Sequence, residues 1–275
     1  MPLAVRPPAV GRSAAPRGTV SLRGVERTFS ATRTVLRGIQ LDLAPAEIVT
    51  VIGPSGCGKS TLLRLLGGLD SPTAGRITVD GTAVRATDAR TAMAFQEPRL
   101  LPWRTLAQNV ALGLPRSTDR RSGTARVAEL LDLVGLEAAA AHRPREVSGG
   151  MAQRASLARA LARDPEVLLL DEPFGALDAL TRLRMQDLLL EIHASRPTTI
   201  VLVTHDVEEA LYLADRVVLL RALGDDDAAS SVSRVIEVPG ARPRDRADHT
   251  LTALRVELLN GLGVHTVHHS RQETP

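Results

Sequence analysis

Apolar and polar positions nearly alternate along the early part of the chain. Val20-Ser21-Leu22-Arg23-Gly24-Val25 and Ile39-Gln40-Leu41-Asp42-Leu43 carry the period of half-buried antiparallel strands, each bounded by turn residues. Gly75-Arg76-Ile77-Thr78-Val79 and Thr82-Ala83-Val84 are separated by Asp80-Gly81, a strong hairpin turn signal. The pattern then changes. Val127, Leu130, Leu131 and Val134 recur at helical spacing, and a second helical stretch runs from Met151 to Ala162 and closes at Asp164-Pro165. Ile48-Val49-Thr50-Val51-Ile52 reads as a buried strand, and the short apolar runs Val167-Leu168-Leu169-Leu170 and Ile200-Val201-Leu202-Val203, flanked by helices, read as central parallel strands. After Leu220 the signal weakens: a solvated turn at Gly224-Asp225-Asp226-Asp227, a strand at Val235-Ile236-Glu237-Val238 and a helix from Asp248 to Leu262 are expected, with the last dozen residues frayed. Residues 1–18, rich in Pro, Ala and Arg without periodicity, read as a disordered tail. The expected architecture is a parallel α/β core carrying an antiparallel edge sheet and a helical insertion.

Composition narrows the classes. The chain has 275 residues, 44% of them apolar, enough for a substantial core. No apolar run approaches the ~20 residues that cross a bilayer, and the start lacks the apolar core of a signal peptide, so a cytoplasmic protein is expected. A single cysteine, Cys57, excludes an internal disulfide and a cysteine-based metal cluster. The isoelectric point near 9.9 reflects arginine. With aromatics at 2% there is no stacking platform for single strands, and nucleic-acid binding is not expected.

Of the 34 lysines and arginines, one is lysine: Lys59, inside Gly53-Pro54-Ser55-Gly56-Cys57-Gly58-Lys59-Ser60-Thr61. The spacing is that of the phosphate-binding loop, in which backbone N–H groups wrap phosphates and a compact ammonium reaches the β and γ positions. Arginine's planar fork does not fit that slot. The loop follows a strand and opens a helix at Thr61-Leu62-Leu63-Arg64-Leu65-Leu66, the context the motif requires, so a nucleoside triphosphate with Mg²⁺ is expected here. Asp171 and Glu172 end a central strand on the ligand edge of an open α/β sheet. Asp171 suits Mg²⁺ through water, Ser60 suits it as a hydroxyl ligand, and Glu172 is the candidate general base.

Val147-Ser148-Gly149-Gly150-Met151-Ala152-Gln153-Arg154, before Asp171, exposes backbone donors at a helix start. Ser-Gly-Gly alone is an ordinary helix cap. Between the two nucleotide motifs, it resembles the signature of the ATP-binding-cassette family, usually Leu-Ser-Gly-Gly-Gln, with Met151 in place of the glutamine. The resemblance spans about Val20 to Leu220 and implies a P-loop NTPase (RecA-like) fold. It also implies ATP and Mg²⁺ as cofactors and a head-to-tail homodimer in which Ser148, Gly149, Gly150, Met151 and Asp178 face the partner's ATP. Gln96 matches the glutamine near Mg²⁺ and the attacking water, and His205 the switch histidine at the γ-phosphate. Phe29 falls where the family sets an aromatic against adenine, although a lone Phe also reads as core.

The chain lacks a transport pathway, so a transporter reading needs separate membrane permease subunits, a periplasmic or lipid-anchored substrate-binding protein, and a peripheral position on the cytoplasmic face of the membrane. Phe95-Gln96-Glu97-Pro98-Arg99-Leu100-Leu101-Pro102-Trp103 reads either as a surface for a partner helix or as packing inside the helical part. Its wording is similar to the nitrate, sulfonate and taurine branch of bacterial importer ATPases. The stretch from Ala179 to Leu188 is similar to the aliphatic sulfonate importers within it. Taurine, nitrate, export and soluble non-transport ATPases stay as alternatives. The expected division is a tail over 1–18, an ATPase domain over 19–240 with a helical subdomain at about 97–165, and a C-terminal helix and tail over 241–275.

Overall fold

The computed structural model describes residues 17–30, 33–224 and 229–264. Strands β1 (Val20–Ser30) and β2 (Arg33–Leu43) pair antiparallel, and β1 also pairs with β4 (Ala74–Val79), which turns at Asp80-Gly81 into β5 (Thr82–Ala83), so the edge sheet runs β2-β1-β4-β5. Its inner face, with Val20, Leu22, Ile39, Leu43 and Val79, is buried. Both long strands exceed the expectation. Alternation is interrupted where Gly24 and Gly38 take φ of 58° and 57° and the β1–β2 register shifts, so a period-2 reading stops at a bulge that the strand itself passes through.

The second sheet has the order β10-β9-β3-β8-β7-β6, formed by β3 (Ile48–Ile52), β6 (Thr91–Ala94), β7 (Val167–Asp171), β8 (Thr199–Val203), β9 (Arg216–Leu220) and β10 (Val232–Glu237). The pairs β3–β8, β3–β9, β7–β8 and β6–β7 are parallel, and β10 is antiparallel to β9. Every residue of β3 and β8 is buried, which explains why each is apolar except for one threonine, Thr50 and Thr199. Helix α1 (Lys59–Leu66) buries Leu62, Leu63, Leu65 and Leu66 between the two sheets, each contributing about 2 kcal/mol by burial.

The helical part comprises α2 (Leu106–Ala111), α3 (Arg120–Leu133) and α4 (Gly149–Leu161), with short 3₁₀ turns at Glu137–Ala139 and Pro144–Glu146. Thr105, Asp119 and Ser148 cap the three α-helices. Val127, Leu130, Leu136, Ala158 and Leu161 share one core with Leu168, Leu170 and Phe174. Helix α5 (Ala179–Ser195) follows β7, and α6 (Val207–Leu213) follows β8. The final helix, α7 (His249–Gly261), buries Leu251 and Leu258 against Val207, Leu211 and Ile236.

Gly18 departs from the tail expectation. It is buried, its N–H donates to both carboxylate oxygens of Asp80 at 3.1 and 3.0 Å, and its carbonyl accepts from the Thr199 hydroxyl at 2.8 Å. The rest of that tail up to residue 16, the Asp225-Asp226-Asp227 turn and the end from residue 265 lie outside the described residues.

Candidate functional site

Parallel pairing assembles the site. The register Val51↔Val203, Asp171↔Val203 and Ala94↔Leu170 brings the C-terminal ends of β3, β8, β7 and β6 to one edge. The phosphate-binding loop, Thr204-His205, Asp171-Glu172 and Phe95-Gln96 are therefore neighbours, although they are scattered over more than a hundred residues of sequence.

A cavity of about 440 Å³ opens there, lined by Phe29, Ser55, Gly56, Gly58, Lys59, Ser60, Thr61 and Glu172 from the expected set, together with Arg33 and Val35 of β2. The Lys59 ammonium donates to the carbonyls of Gly53 (2.8 Å) and Pro54 (3.0 Å), which holds it across the loop. Gly58 enters α1 at φ 102°, and a Cβ there would lie 2.5 Å from Leu36 Cδ2. Gly58→Ala is accordingly expected to cost about 1–3 kcal/mol of stability and to weaken nucleotide binding, read from thermal unfolding and a binding titration.

Three expected loop members do not line the cavity. Cys57 is 2% exposed and packs into the core, and burial pushes its thiol pKa up, so it acts as a filler. A Cβ on Gly53 would lie 2.6 Å from the Leu220 carbonyl, so this glycine permits a close approach to β9, and Pro54 offers a carbonyl to Lys59.

Glu172 sits at φ 45°, a conformation uncommon for a non-glycine residue, with its N–H held by the Val203 carbonyl at 2.9 Å. Its Oε2 is 3.3 Å from Gln96 Nε2 and 3.2 Å from His205 Nδ1. Ser60 Oγ donates to Asp171 Oδ1 at 3.1 Å. Burial pushes the Asp171 pKa upward; the Ser60 hydroxyl opposes the shift and the neighbouring Glu172 charge adds to it. Phe29 is 54% exposed at the rim, with the Arg27 guanidinium 4.6 Å over its ring, so it is not core.

Ser148, Gly149, Gly150, Met151 and Asp178 gather elsewhere. Ser148 caps α4 through the Met151 N–H (3.3 Å), and Asp178 caps α5 through the Thr181 N–H (3.0 Å), which holds its carboxyl below the usual range. A Cβ on Gly150 would lie 2.9 Å from Thr181 Cγ2, so glycine lets these helix starts meet. Met151 is half-buried against the helical core. This cluster lines no part of the 440 Å³ cavity of the same chain. It is tied to the Gln96 loop through α4: Gln153 Nε2 donates to the Phe95 carbonyl (3.3 Å), and Arg159 donates to the carbonyls of Pro98 (2.7 Å) and Arg99 (2.8 Å). Trp103 is 68% exposed, whereas Leu100 of the same segment packs against the helical core, so the segment divides between the two readings.

Residues 36–175 match the family described as ABC transporter. The chain is 49% identical over 243 residues to the aliphatic sulfonates import ATP-binding protein SsuB 1 of Xanthomonas axonopodis pv. citri, covering 86% of this chain and 93% of that protein. The chain belongs to the ABC transporter family. Within the family it is also 44% identical to the aliphatic sulfonates import ATP-binding protein SsuB of Bacillus subtilis, over 88% of this chain and 92% of that one. The fold agrees: the dimeric, post-hydrolysis structure of the ATP-binding cassette MJ0796 bound to ADP and Pi superposes with a TM-score of 0.69 at 32% identity, over 81% of this chain and 100% of that one. The ABC family resemblance read from the motifs is thereby borne out. Arg33 and Val35, which sequence reasoning missed, carry no motif; they reach the cavity only because β2 runs beside the loop, with Leu36 against Gly58.

Proposed function

We propose that this chain is the ATP-hydrolysing, energy-coupling subunit of an importer for aliphatic sulfonates. The observation that carries the reading is the contact of Glu172, which lines the phosphate-loop cavity, with both Gln96 and His205, joined to the sulfonate-import relatives above. The backbone N–H groups of the loop and the Lys59 ammonium bind the ATP phosphates, and Phe29 at the rim stacks on the adenine. Glu172 accepts a proton from the attacking water, Gln96 orients that water, and His205 contacts the γ-phosphate.

Ser60 and Asp171 present hard oxygen donors 3.1 Å apart, which fits Mg²⁺. Among the described residues no group of three or more His, Cys, Asp or Glu side chains would hold a metal unaided, so the remaining ligands would be phosphate oxygens and water. When bound, Mg²⁺ neutralises phosphate charge. Ser148, Gly149, Gly150, Met151 and Asp178 complete the site of a second copy, as expected for a cluster that lies outside its own cavity.

ATP binding closes the dimer and hydrolysis reopens it. No helix of the described residues is long and apolar enough to cross a membrane. On this reading transport runs through separate permease subunits, to which exposed Trp103 offers apolar surface, with a substrate-binding protein outside and this subunit at the cytoplasmic face. Growth of a strain lacking the gene tests the substrate. Loss of growth on an alkanesulfonate as single sulfur source, restored by the wild type but not by Glu172→Gln, is expected. A defect on taurine or nitrate instead moves the protein to a sister branch.

A further inference from the structure

A polar chain runs from exposed Arg246 of the C-terminal segment, through two buried side chains, to the helix behind His205. The Arg246 guanidinium donates to Gln186 Oε1 at 2.9 Å, and Gln186 Nε2 donates to Glu209 Oε2 at 3.0 Å. Gln186 and Glu209 are 2% and 3% exposed, so water does not compete for the bond between them, while Arg246 closes the chain from the surface. Glu209 lies in the first turn of α6, where its N–H donates to Asp206 Oδ1 at 3.1 Å, and Asp206 directly follows His205. The order of donors is fixed chemically. A guanidinium can only donate and a carboxylate accepts, so the Gln186 amide between them has one satisfied orientation.

The same segment grips α6 a second way. Arg244, 7% exposed, donates to the Leu211 (3.3 Å) and Tyr212 (3.2 Å) carbonyls at the C-terminal end of α6 and to the carbonyls of Pro239 (2.9 Å) and Val238 (2.9 Å). That places a cation on the negative end of the helix. Arg246 lies 3.5 Å over the Tyr212 ring, and Tyr212 donates to Asp187 at 2.6 Å, fastening α6 to α5. At the other end Asp206 caps α6 and pairs with Arg182 at 3.2 Å. His205 immediately precedes that cap.

We propose that Arg246, Gln186 and Glu209 are positioning residues that hold His205 against Glu172, so that the C-terminal segment sets the turnover of the ATPase. The inference rests on the proposed part of His205 in hydrolysis. It goes beyond that reading by assigning a catalytic consequence to a segment that touches neither nucleotide nor the phosphate loop.

The test is a double-mutant cycle in the full chain with His205→Ala, Arg246→Ala and both, read as kcat, KM for ATP and melting temperature. Arg246→Ala is expected to lower kcat roughly 3- to 30-fold with KM unchanged. It should have little further effect in the His205→Ala background, because the two act through one contact. Arg246→Lys, which keeps a charge but not the fork and its stacking, should recover part of the loss. Equal losses from Arg246→Ala with and without His205, or unchanged kcat, overturn the inference. Should Arg246→Ala lower the melting temperature strongly, Gln186→Glu replaces it: the chain then meets two carboxylates, and the same non-additivity with His205→Ala is required. Full turnover in His205→Ala alone would instead sink the proposed part of His205, which separates the two failures.

Discussion

Glu172→Gln is expected to lower ATP turnover by about 10²–10⁴-fold while ATP binding persists. The amide has the shape of the carboxylate but cannot take a proton from water, and the loss corresponds to roughly 3–5 kcal/mol of barrier. Nothing that binds the phosphates is removed, because the Lys59 contacts to Gly53 and Pro54 are independent of Glu172. The backbone φ of 45° at Glu172 is set by β7 and the Val203 carbonyl, so the side chain stays in place. Phosphate release at saturating ATP, with an equilibrium binding titration, separates the outcomes. Unchanged turnover would remove Glu172 from the role of base, and joint loss of binding would make it structural.

Lys59→Ala should behave differently, with binding and turnover falling together and turnover by about 10²–10³-fold. Lys59 and Arg33 are the cations lining the 440 Å³ cavity, and Lys59 is the one fixed across the loop by two carbonyls. On the proposed function, removing it takes away ground-state phosphate binding as well as stabilisation of the charge that develops in the reaction. Alanine is a good helix former, so α1, which begins at Lys59, should survive and the melting temperature should hold. Lys59→Arg should not rescue, since the planar fork replaces a compact ammonium. ATP affinity equal to wild type in Lys59→Ala would reject its place at the phosphates.

Much of the site was readable in sequence because each motif is local. A glycine-rich turn between a buried strand and a helix, and two carboxylates ending an apolar run, have meaning within a dozen residues. Strands β3, β7 and β8 were legible for the same reason: burial on both faces leaves runs that are almost wholly apolar, with Thr50 the polar member of β3. The long hairpin was underread, since bulges at Gly24 and Gly38 break the alternation without ending the strands. The boundary at Gly18 was also missed, because its anchors, Asp80 and Thr199, lie 62 and 181 residues away.

The sequence by itself determined the nucleotide chemistry and the family: which residues carry charge, which hydroxyl and carboxylates are available, and which glycines leave backbone donors open. Only the tertiary structure decided how these meet. Tertiary packing sets Gln96, Glu172 and His205 within 3.3 Å contacts through the parallel pairing of β6, β7, β8 and β3, places Arg33 in the cavity through β2, and turns Cys57 inward. It also joins Arg246 to Glu209 through Gln186. Spacing along a chain reports helix faces and turns, whereas contacts between distant segments depend on strand order and register, which no single segment encodes.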